Sequence, residues 1–285
     1  MEQWFFAFAG MRLCVRGPAD LMPRRMGGLE SFIAPAGEFD HLLEFSVVDE
    51  LDPPVGECVF SQPDKRVYCQ GDLHLRYDGA VANGLDGANV RMERRGNRSI
   101  IQVRRSAIPA GITANLVMSC MELEHLVADR GGFLLHASVI RVGDRAIAFT
   151  APSGTGKSTQ ADLWCRYRGA ELINGDRTVV RDGRIWGIPF CGSSQVAKNM
   201  TLPLAAMVYL AQAPENVVTP LTGVRAFSRI WEGCSINIWN RMDMDRGTQA
   251  VMDAVSNVPV VRFACTPDQA AVDTLYGVLE KEGVL

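Results

Sequence analysis

Residues 146–159 read Ala-Ile-Ala-Phe-Thr-Ala-Pro-Ser-Gly-Thr-Gly-Lys-Ser-Thr. The apolar start is typical of a buried strand, the middle is a glycine-rich turn, and the end favours a helix. The stretch matches the pattern G-x-x-x-x-G-K-[ST], except that Ala151 stands at the first glycine position. It therefore predicts a loop that binds phosphate groups, and the alternative is a glycine-rich surface turn.

The residue types of this loop each have a physical role in holding a phosphate. Gly154 and Gly156 lack a Cβ, so the backbone can curl and direct successive N–H groups into one concavity. A helix that begins near Lys157 adds unpaired N–H groups and the positive end of its dipole. We expect Lys157 to be a surface side chain that reaches the β- and γ-phosphates, and Ser158 to offer its hydroxyl to Mg²⁺. The predicted phosphate-binding residues are Ser153, Gly154, Thr155, Gly156, Lys157, Ser158 and Thr159.

Two residues outside the loop are candidates for the same site. Asp176 follows a short apolar strand, and a carboxylate there would suit Mg²⁺, which prefers oxygen ligands; ordinary turn chemistry is the alternative. His136 lies in an apolar strand just before the strand that leads into the loop. It is either a satisfied core residue or, if the two strands are neighbours, a base or orienting group for an attacking hydroxyl.

The overall composition is that of an ordinary globular protein. Hydrophobic residues make up 47% and charged residues 21% of the 285 residues, and the net charge is -3. These values exclude a disordered chain and give no electrostatic reason to expect a nucleic acid or an anionic membrane as partner. The arginine-rich run 91–105 alternates with other residues and predicts a solvated strand edge.

The cysteines and the N-terminus bear on localisation. None of the eight cysteines forms a C-x-x-C pair, and no histidine has zinc-ligand spacing from two of them. They indicate free thiols of a reducing compartment. The apolar stretch Trp4–Met11 is too short for a secretory signal and lacks a basic leader, and no stretch is long enough to span a membrane. We expect a cytoplasmic protein.

The sequence pattern predicts two domains, the first of them made of short strands separated by the turn-forming residues Gly, Pro, Asn and Asp. Residues 1–110 should form a β-rich N-terminal domain, in which His41 and His74 are surface or pairing residues. The pattern changes at Pro109-Ala110-Gly111, where a linker helix over 112–129, containing a structural His125, opens the domain 111–285. The predicted strands of the first domain are Trp4–Val15, His41–Val48, Val67–Tyr77 and Ser99–Val103.

Strands and helices alternate from residue 131 onward, which predicts an α/β fold. The expected elements are strands Phe133–Val142 and Ala146–Thr150, helix Lys157–Arg168, strand Glu171–Asn174, a hairpin over 178–188 about Asp182-Gly183, strand Met207–Ala211, helices Leu221–Trp231 and Asp243–Val255, strand Val260–Ala264, and helix Pro267–Lys281 with Pro267 in its first turn.

The run from His136 to Arg177 resembles the catalytic domain of HPr kinase/phosphorylase. The shared order is a histidine on a strand, the strand into the phosphate loop, a helix, and then Arg168-Gly169-Ala170-Glu171-Leu172-Ile173-Asn174-Gly175-Asp176-Arg177. Residues 187–194 and 265–268 are similar to compact HPr-kinase-related proteins, some of which phosphorylate a serine of a ribosomally made peptide, as in lasso-peptide clusters. One departure is Gly175, which stands where HPr kinase/phosphorylase has the first of two adjacent aspartates.

The resemblance implies the fold shared with phosphoenolpyruvate carboxykinase, a P-loop in a mostly antiparallel α+β framework with a mixed sheet. It implies catalytic roles for His136, Lys157 and Asp176, metal binding by Ser158 and Asp176, and ATP with Mg²⁺ as cofactors. The implied activity is transfer of a phosphoryl group to a serine or other hydroxyl of a small protein, peptide or metabolite. A homo-oligomer is also implied, because the relatives are oligomeric.

Two other functions remain open from the residues. A catalytically weak nucleotide-binding regulatory protein would fit the missing acid at position 175, and a simple NTPase would hydrolyse ATP without an acceptor. Ser193, Ser194 and Lys198 are candidates for contacts with the acceptor, and they are equally well interpreted as ordinary loop residues.

Overall fold

The computed structural model describes residues 1–23, 27–108 and 111–285. The chain divides into two compact units, Met1–Glu122 and Leu123–Leu285. The sequence predicts the boundary after residue 110, twelve residues earlier, and Pro109 and Ala110 lie outside the described residues. None of the helices in the described ranges combines the length and the apolar composition that a membrane crossing requires.

The first unit is built around a mixed sheet of eight strands, followed by the short helix α1 (Ala114–Ser119). Its strands are β1 (Glu2–Phe8), β2 (Met11–Gly17), β3 (His41–Val48), β4 (Glu57–Gln62), β5 (Lys65–Gln70), β6 (Leu73–Ala80), β7 (Gly87–Arg95) and β8 (Arg98–Arg104). They lie side by side in the order β1-β2-β3-β8-β7-β6-β5-β4. Buried and less buried residues alternate along β3 and β8, as expected for strands that bury one face.

Three sequence predictions for this part of the chain are wrong in the same way. Trp4–Val15 and Val67–Tyr77 are not single strands; each is a hairpin, because left-handed residues at Ala9-Gly10 and at Gly71 reverse the chain. Residues 112–129 are not one helix either. They form α1 and a second short helix, α2 (Leu123–Ala128), separated by Glu122 with a φ of 48°.

The arginine-rich run 91–105 is not a solvated edge. It forms β7 and β8 in the interior of the sheet, where Arg91 and Arg94 are only 5% and 7% exposed. Arg91 donates hydrogen bonds to the Tyr77 hydroxyl and to Glu93, which offset the cost of burying its charge. His41 is buried as well, with its Nε2 2.9 Å from the Ser99 hydroxyl.

The second unit contains a nine-stranded mixed sheet covered by helices, so the predicted α/β class is confirmed. After α2, its elements are β9 (Phe133–Val142), β10 (Arg145–Thr150), α3 (Lys157–Arg168), β11 (Glu171–Asn174), β12 (Arg177–Arg181), β13 (Arg184–Gly187), β14 (Thr201–Gln212), β15 (Val217–Leu221), α4 (Gly223–Trp231), β16 (Cys234–Ser235), α5 (Arg241–Asn257), β17 (Val260–Cys265) and α6 (Gln269–Lys281). The strand order is β10-β9-β12-β13-β14-β17-β15, with β11 and β16 paired to β9.

Two strands of this sheet change partners along their length. The first residues of β9 pair with β12 and the later ones with β10, while β14 pairs first with β13 and then, in parallel, with β10. Strand β17 also runs parallel to β14. The carboxyl ends of β10, β14 and β17 therefore meet at one edge of the sheet, and this edge carries the phosphate loop.

The sheet separates two apolar clusters. Successive residues of a strand face opposite sides, so Met207 belongs to the cluster that includes residues of α4 and α5, and Val208 to the cluster that includes residues of α3 and α6. Trp164 of α3 is fully buried in the second cluster, close to Phe149 of β10. This packing fixes α3 against the strand that precedes it and so fixes the loop between them.

Most element bounds of the second unit agree with the sequence prediction to within a few residues. Pro267 is an exception, because it precedes the N-cap of α6 rather than lying in the first turn. The N-cap is Asp268, whose carboxylate accepts a hydrogen bond from the backbone N–H of Ala271. Strands β15 and β16 were not predicted; β16 has only two residues and gives no periodic signal.

Candidate functional site

The loop between β10 and α3 has the backbone that anion binding requires. Gly154 and Gly156 have φ values of 78° and 113°, a region that residues with a Cβ rarely adopt. Gly156 caps helix α3, whose first N–H groups have no partner within the helix. At the first glycine position of the pattern, Ala151 is nearly buried and packs in the apolar cluster of α3. Ala151, which replaces the first glycine of the pattern, therefore lies outside the turn formed by Gly154 and Gly156.

Lys157 is buried rather than a surface side chain, so that expectation is wrong. It is 8% exposed, and its Nζ donates to the carbonyl oxygens of Ala151 and Pro152 at 2.9 and 3.3 Å. Burial lowers the pKa of its ammonium, and the nearby Asp176 carboxylate acts in the opposite direction. The ammonium is thus held at the loop itself, within reach of a group bound there.

His136 and Asp176 come together through strand pairing. In the β9–β12 ladder His136 is opposite Arg177, the residue that follows Asp176. The His136 Nε2 lies 3.4 Å from the Asp176 Oδ1. Burial lowers the pKa of His136, the positive charges of Lys157 and Arg177 lower it further, and Asp176 opposes these effects. At neutral pH the imidazole is consequently in its neutral form, which can accept a proton.

Asn174 orients Asp176, and sequence reasoning missed this role. The Asn174 side chain is fully buried, and its Oδ1 accepts hydrogen bonds from the backbone N–H groups of Asp176 and Arg177 at 2.9 and 3.0 Å. Its Nδ2 donates to the carbonyl oxygen of Ile188. Because the amide is held at both ends, it fixes the turn that presents Asp176. An asparagine at the end of an apolar strand, two residues before an acid, is the sequence signal that could have indicated this role.

The phosphate loop, His136 and Asp176 line one cleft of about 350 Å³, which we call the phosphate cleft. Its lining residues are His136, Ser153, Gly154, Gly156, Lys157, Ser158, Thr159, Gly175, Asp176 and Ser193. The structure therefore brings together predicted site residues from three separate segments of the chain, which are His136, the loop 153–159 and Asp176. Thr155 of the predicted set lines a neighbouring cleft instead.

Gly175 is a glycine because there is no room for a side chain. A Cβ at this position would lie 2.0 Å from the Ser194 Oγ and 2.5 Å from the Ser194 Cβ. Ser194 is itself held in place, since its hydroxyl donates to the Cys191 carbonyl and accepts from the Val196 N–H. The space that a side chain at position 175 would need is thus filled by the loop that follows β13.

The three candidate acceptor contacts have different surroundings. Ser193 is exposed and lines the phosphate cleft. The Ser194 hydroxyl is engaged within its own loop, and the Lys198 ammonium lies 2.5 Å from Glu171. His125 is not one of these candidates and was predicted to be structural; its Nδ1 lies 2.7 Å from the Oδ1 of the fully buried Asp243. Of the three candidates, Ser193 is therefore the one that reaches the cleft.

Arg177 is a further charged group at the site. Its Nε lies 3.6 Å from the Asp176 Oδ2 and forms no hydrogen bond within the described residues. Its guanidinium carbon lies 5.6 Å from the centre of the Phe190 ring. Lys157 therefore lines the phosphate cleft, and Arg177 lies beside Asp176, the single carboxylate among the lining residues.

Comparison with known proteins adds little to this description. No family model matches the chain, and no curated protein matches it. Among solved structures, the Hpr(Ser) kinase/phosphatase from Coxiella burnetii is similar at 13% identity, over 53% of this chain and 94% of that chain, with a TM-score of 0.26. A TM-score this low establishes neither a shared fold nor a shared activity.

Proposed function

We propose that this protein is a Mg²⁺·ATP-dependent kinase that transfers a phosphoryl group to a serine or another hydroxyl of a small protein, peptide or metabolite. The phosphate cleft is the observation that carries the proposal. It joins a left-handed glycine loop at a helix N-terminus, a lysine and a His–Asp pair in one space. A phosphoryl-transfer enzyme needs these groups together, because catalysis depends on positioning and on charge stabilisation.

The residues of the cleft fit a magnesium-bound triphosphate. The backbone N–H groups from Ser153 to Thr159 would hold the phosphate oxygens, and Lys157 would exchange its contacts with the Ala151 and Pro152 carbonyls for contacts with phosphate. Ser158 and Asp176 offer a hydroxyl and a carboxylate, the hard oxygen donors that Mg²⁺ prefers. When bound, the metal ion would neutralise charge that develops on the phosphate oxygens.

His136 is suited to act as the base toward the acceptor. Its lowered pKa keeps the imidazole neutral, so that Nε2 can accept the proton of an incoming hydroxyl. Asp176 would orient the ring and stabilise the imidazolium that forms. The resemblance of residues 136–177 to the HPr kinase/phosphorylase catalytic domain supports these roles. The same resemblance favours a framework of the phosphoenolpyruvate carboxykinase type.

A second function, nucleotide binding for regulation without transfer, is favoured by one observation. Ser194 fills the place of the first aspartate, so the cleft holds one carboxylate where HPr kinase/phosphorylase has two. A protein with this function would bind nucleotide tightly and transfer no phosphoryl group to any hydroxyl acceptor.

ATP binding by calorimetry, with and without Mg²⁺, tests the proposed site. Lys157→Ala should abolish most of the binding because it removes the one cation on the loop, and Lys157→Met should do the same while preserving the buried aliphatic stem. The control is Lys281→Ala, which removes an exposed lysine at the end of α6 and should bind like the wild type. Undiminished affinity in a folded Lys157→Met protein would refute the phosphate-loop assignment.

A further inference from the structure

A second cleft, also of about 350 Å³, adjoins the phosphate cleft, and we call it the side cleft. Its lining residues are Gly154, Thr155, Gly156, Thr159, Gln160, Gln212, Ala213, Cys265, Thr266 and Pro267. Gly154, Gly156 and Thr159 line both clefts. A molecule whose phosphates occupy the loop can therefore extend directly from one cleft into the other.

The strand order explains why the side cleft lies on this side of the loop. Strands β14 and β17 run parallel to each other, and β14 runs parallel to β10, so all three end at the same edge. Gln212 ends β14 and Cys265 ends β17, while β9 and the His136–Asp176 pair lie on the other side of β10. The two clefts thus flank the phosphate loop, with the His–Asp pair in one and not in the other.

The walls of the side cleft carry amide groups held in fixed positions. Gln160 is 3% exposed, and its Nε2 donates to the Thr266 carbonyl oxygen. Its Oε1 is buried and has no hydrogen-bond partner within the described residues. A buried amide oxygen without a hydrogen-bond partner lowers the stability of the folded protein. A ligand that donates a hydrogen bond to this oxygen would remove that cost.

Further contacts connect the side cleft to the loop and stiffen its rim. The Gln212 Nε2 lies 3.4 Å from the Thr155 carbonyl oxygen of the phosphate loop. Thr266 is fixed by Asn216, whose amide oxygen accepts from the Thr266 N–H at 2.9 Å and whose amide nitrogen donates to its hydroxyl. Ala213 and Pro267 add apolar surface beside these amides. Amide groups next to an apolar wall match the edges and the faces of a heterocyclic base.

We propose that the side cleft holds the nucleoside of the nucleotide whose phosphates the loop binds. This proposal rests on the proposed function. Amide side chains at the wall would recognise the ring nitrogens and amino group of the base, and the apolar residues would contact its face. The acceptor hydroxyl would then enter the phosphate cleft from the opposite side, next to His136, without competing with the nucleoside.

Comparison of ATP with inorganic tripolyphosphate tests this assignment, because tripolyphosphate carries the phosphates and no nucleoside. Dissociation constants of both are measured by calorimetry in the presence of Mg²⁺. The wild type should bind ATP more tightly. Gln212→Ala, which removes one amide, and Ala213→Trp, which fills the cleft, should each weaken ATP binding by about tenfold or more and leave tripolyphosphate binding unchanged. Gln249→Ala, an exposed amide on α5, is the matched control and should change neither.

The outcomes separate the two proposals. Equal affinity of the wild type for ATP and tripolyphosphate, or wild-type ATP affinity in both variants, would overturn the nucleoside assignment and leave the phosphate loop in place. If neither compound binds the wild type, the phosphate loop and the side cleft fail together. If Ala213→Trp does not fold, Gln212→Ala alone decides, since its side chain is exposed.

Discussion

At the scale of single residues, the candidate site depends on charges held in close proximity. Lys157, Arg177 and His136 lie around one carboxylate, Asp176, and the charges of Lys157, Asp176 and Arg177 act on the pKa of His136. Three of these four residues, His136, Lys157 and Asp176, were predicted from the sequence. The phosphate-loop pattern indicates Lys157, and the order of motifs that resembles HPr kinase/phosphorylase indicates His136 and Asp176. It could not place Arg177 or Asn174 at the site, since their roles arise from strand pairing and from a side-chain contact with the backbone.

The titration of His136 in the free protein follows from these charges. Its midpoint should lie below the ordinary histidine value of 6.5, because burial and two cations disfavour the imidazolium. Lys157→Ala should raise the midpoint by removing a positive charge, and Asp176→Asn should lower it by removing a negative one. Nuclear magnetic resonance of the ring protons measures all three values. Shifts in the reverse directions would contradict the arrangement of charges described here.

Asp176→Asn should also change how binding depends on metal. The amide lacks the negative charge that attracts Mg²⁺, so the affinity for ATP should respond less to added Mg²⁺ than it does in the wild type. Calorimetry at several Mg²⁺ concentrations measures this response. A variant that responds as fully as the wild type would remove Asp176 from the proposed metal ligands.

At the scale of secondary-structure elements, the second unit was more predictable than the first. Helix α3 and strand β11 have the predicted bounds, because Gly156 and Gly169 lie at the two ends of α3 and the short strand follows directly. The hairpin at Ala9-Gly10 was missed because apolar residues continue through the turn and hide the reversal. The hairpin at Gly71 was missed although Gln70-Gly71-Asp72 is a polar turn sequence. The arginine run was misassigned because Tyr77, which accepts a hydrogen bond from Arg91, is brought to it by the neighbouring strand β6.

The contact between Gly175 and the loop after β13 gives a stability prediction. Gly175→Ala should lower the free energy of unfolding by about 1–3 kcal/mol, because the new methyl group overlaps Ser194. Combining it with Ser194→Gly should recover part of this loss, although the hydrogen bonds of the serine are gone, and the two changes should be strongly non-additive. Urea denaturation of both single variants and of the double variant measures the coupling. Simple additivity would mean that the loop moves aside freely.

At the scale of the whole molecule, the residues proposed to bind the nucleotide all belong to one unit. The phosphate cleft, the side cleft and both large apolar clusters lie within Leu123–Leu285. The first unit has its own sheet and its own apolar cluster around Leu75 and Tyr77. A change of sequence pattern at residues 109–111 predicts two domains. Residues 112–129 were predicted as a single helix because the apolar residues of α1 and α2 follow one helical spacing.

Expression of residues 123–285 alone tests this division. The fragment should fold and bind Mg²⁺·ATP with an affinity close to that of the full chain, since it retains the proposed contacts. Circular dichroism establishes folding and calorimetry establishes affinity. A folded fragment that no longer binds ATP would show that residues 1–122 contribute to the nucleotide site.

The lack of space beside Gly175 also bears on the order in which substitutions at positions 175 and 194 can be made. A side chain at position 175 fits without overlap only when the serine at position 194 has been replaced or its loop has been rebuilt. Replacing Ser194 first opens the space that a side chain at position 175 needs, whereas replacing Gly175 first passes through a less stable protein.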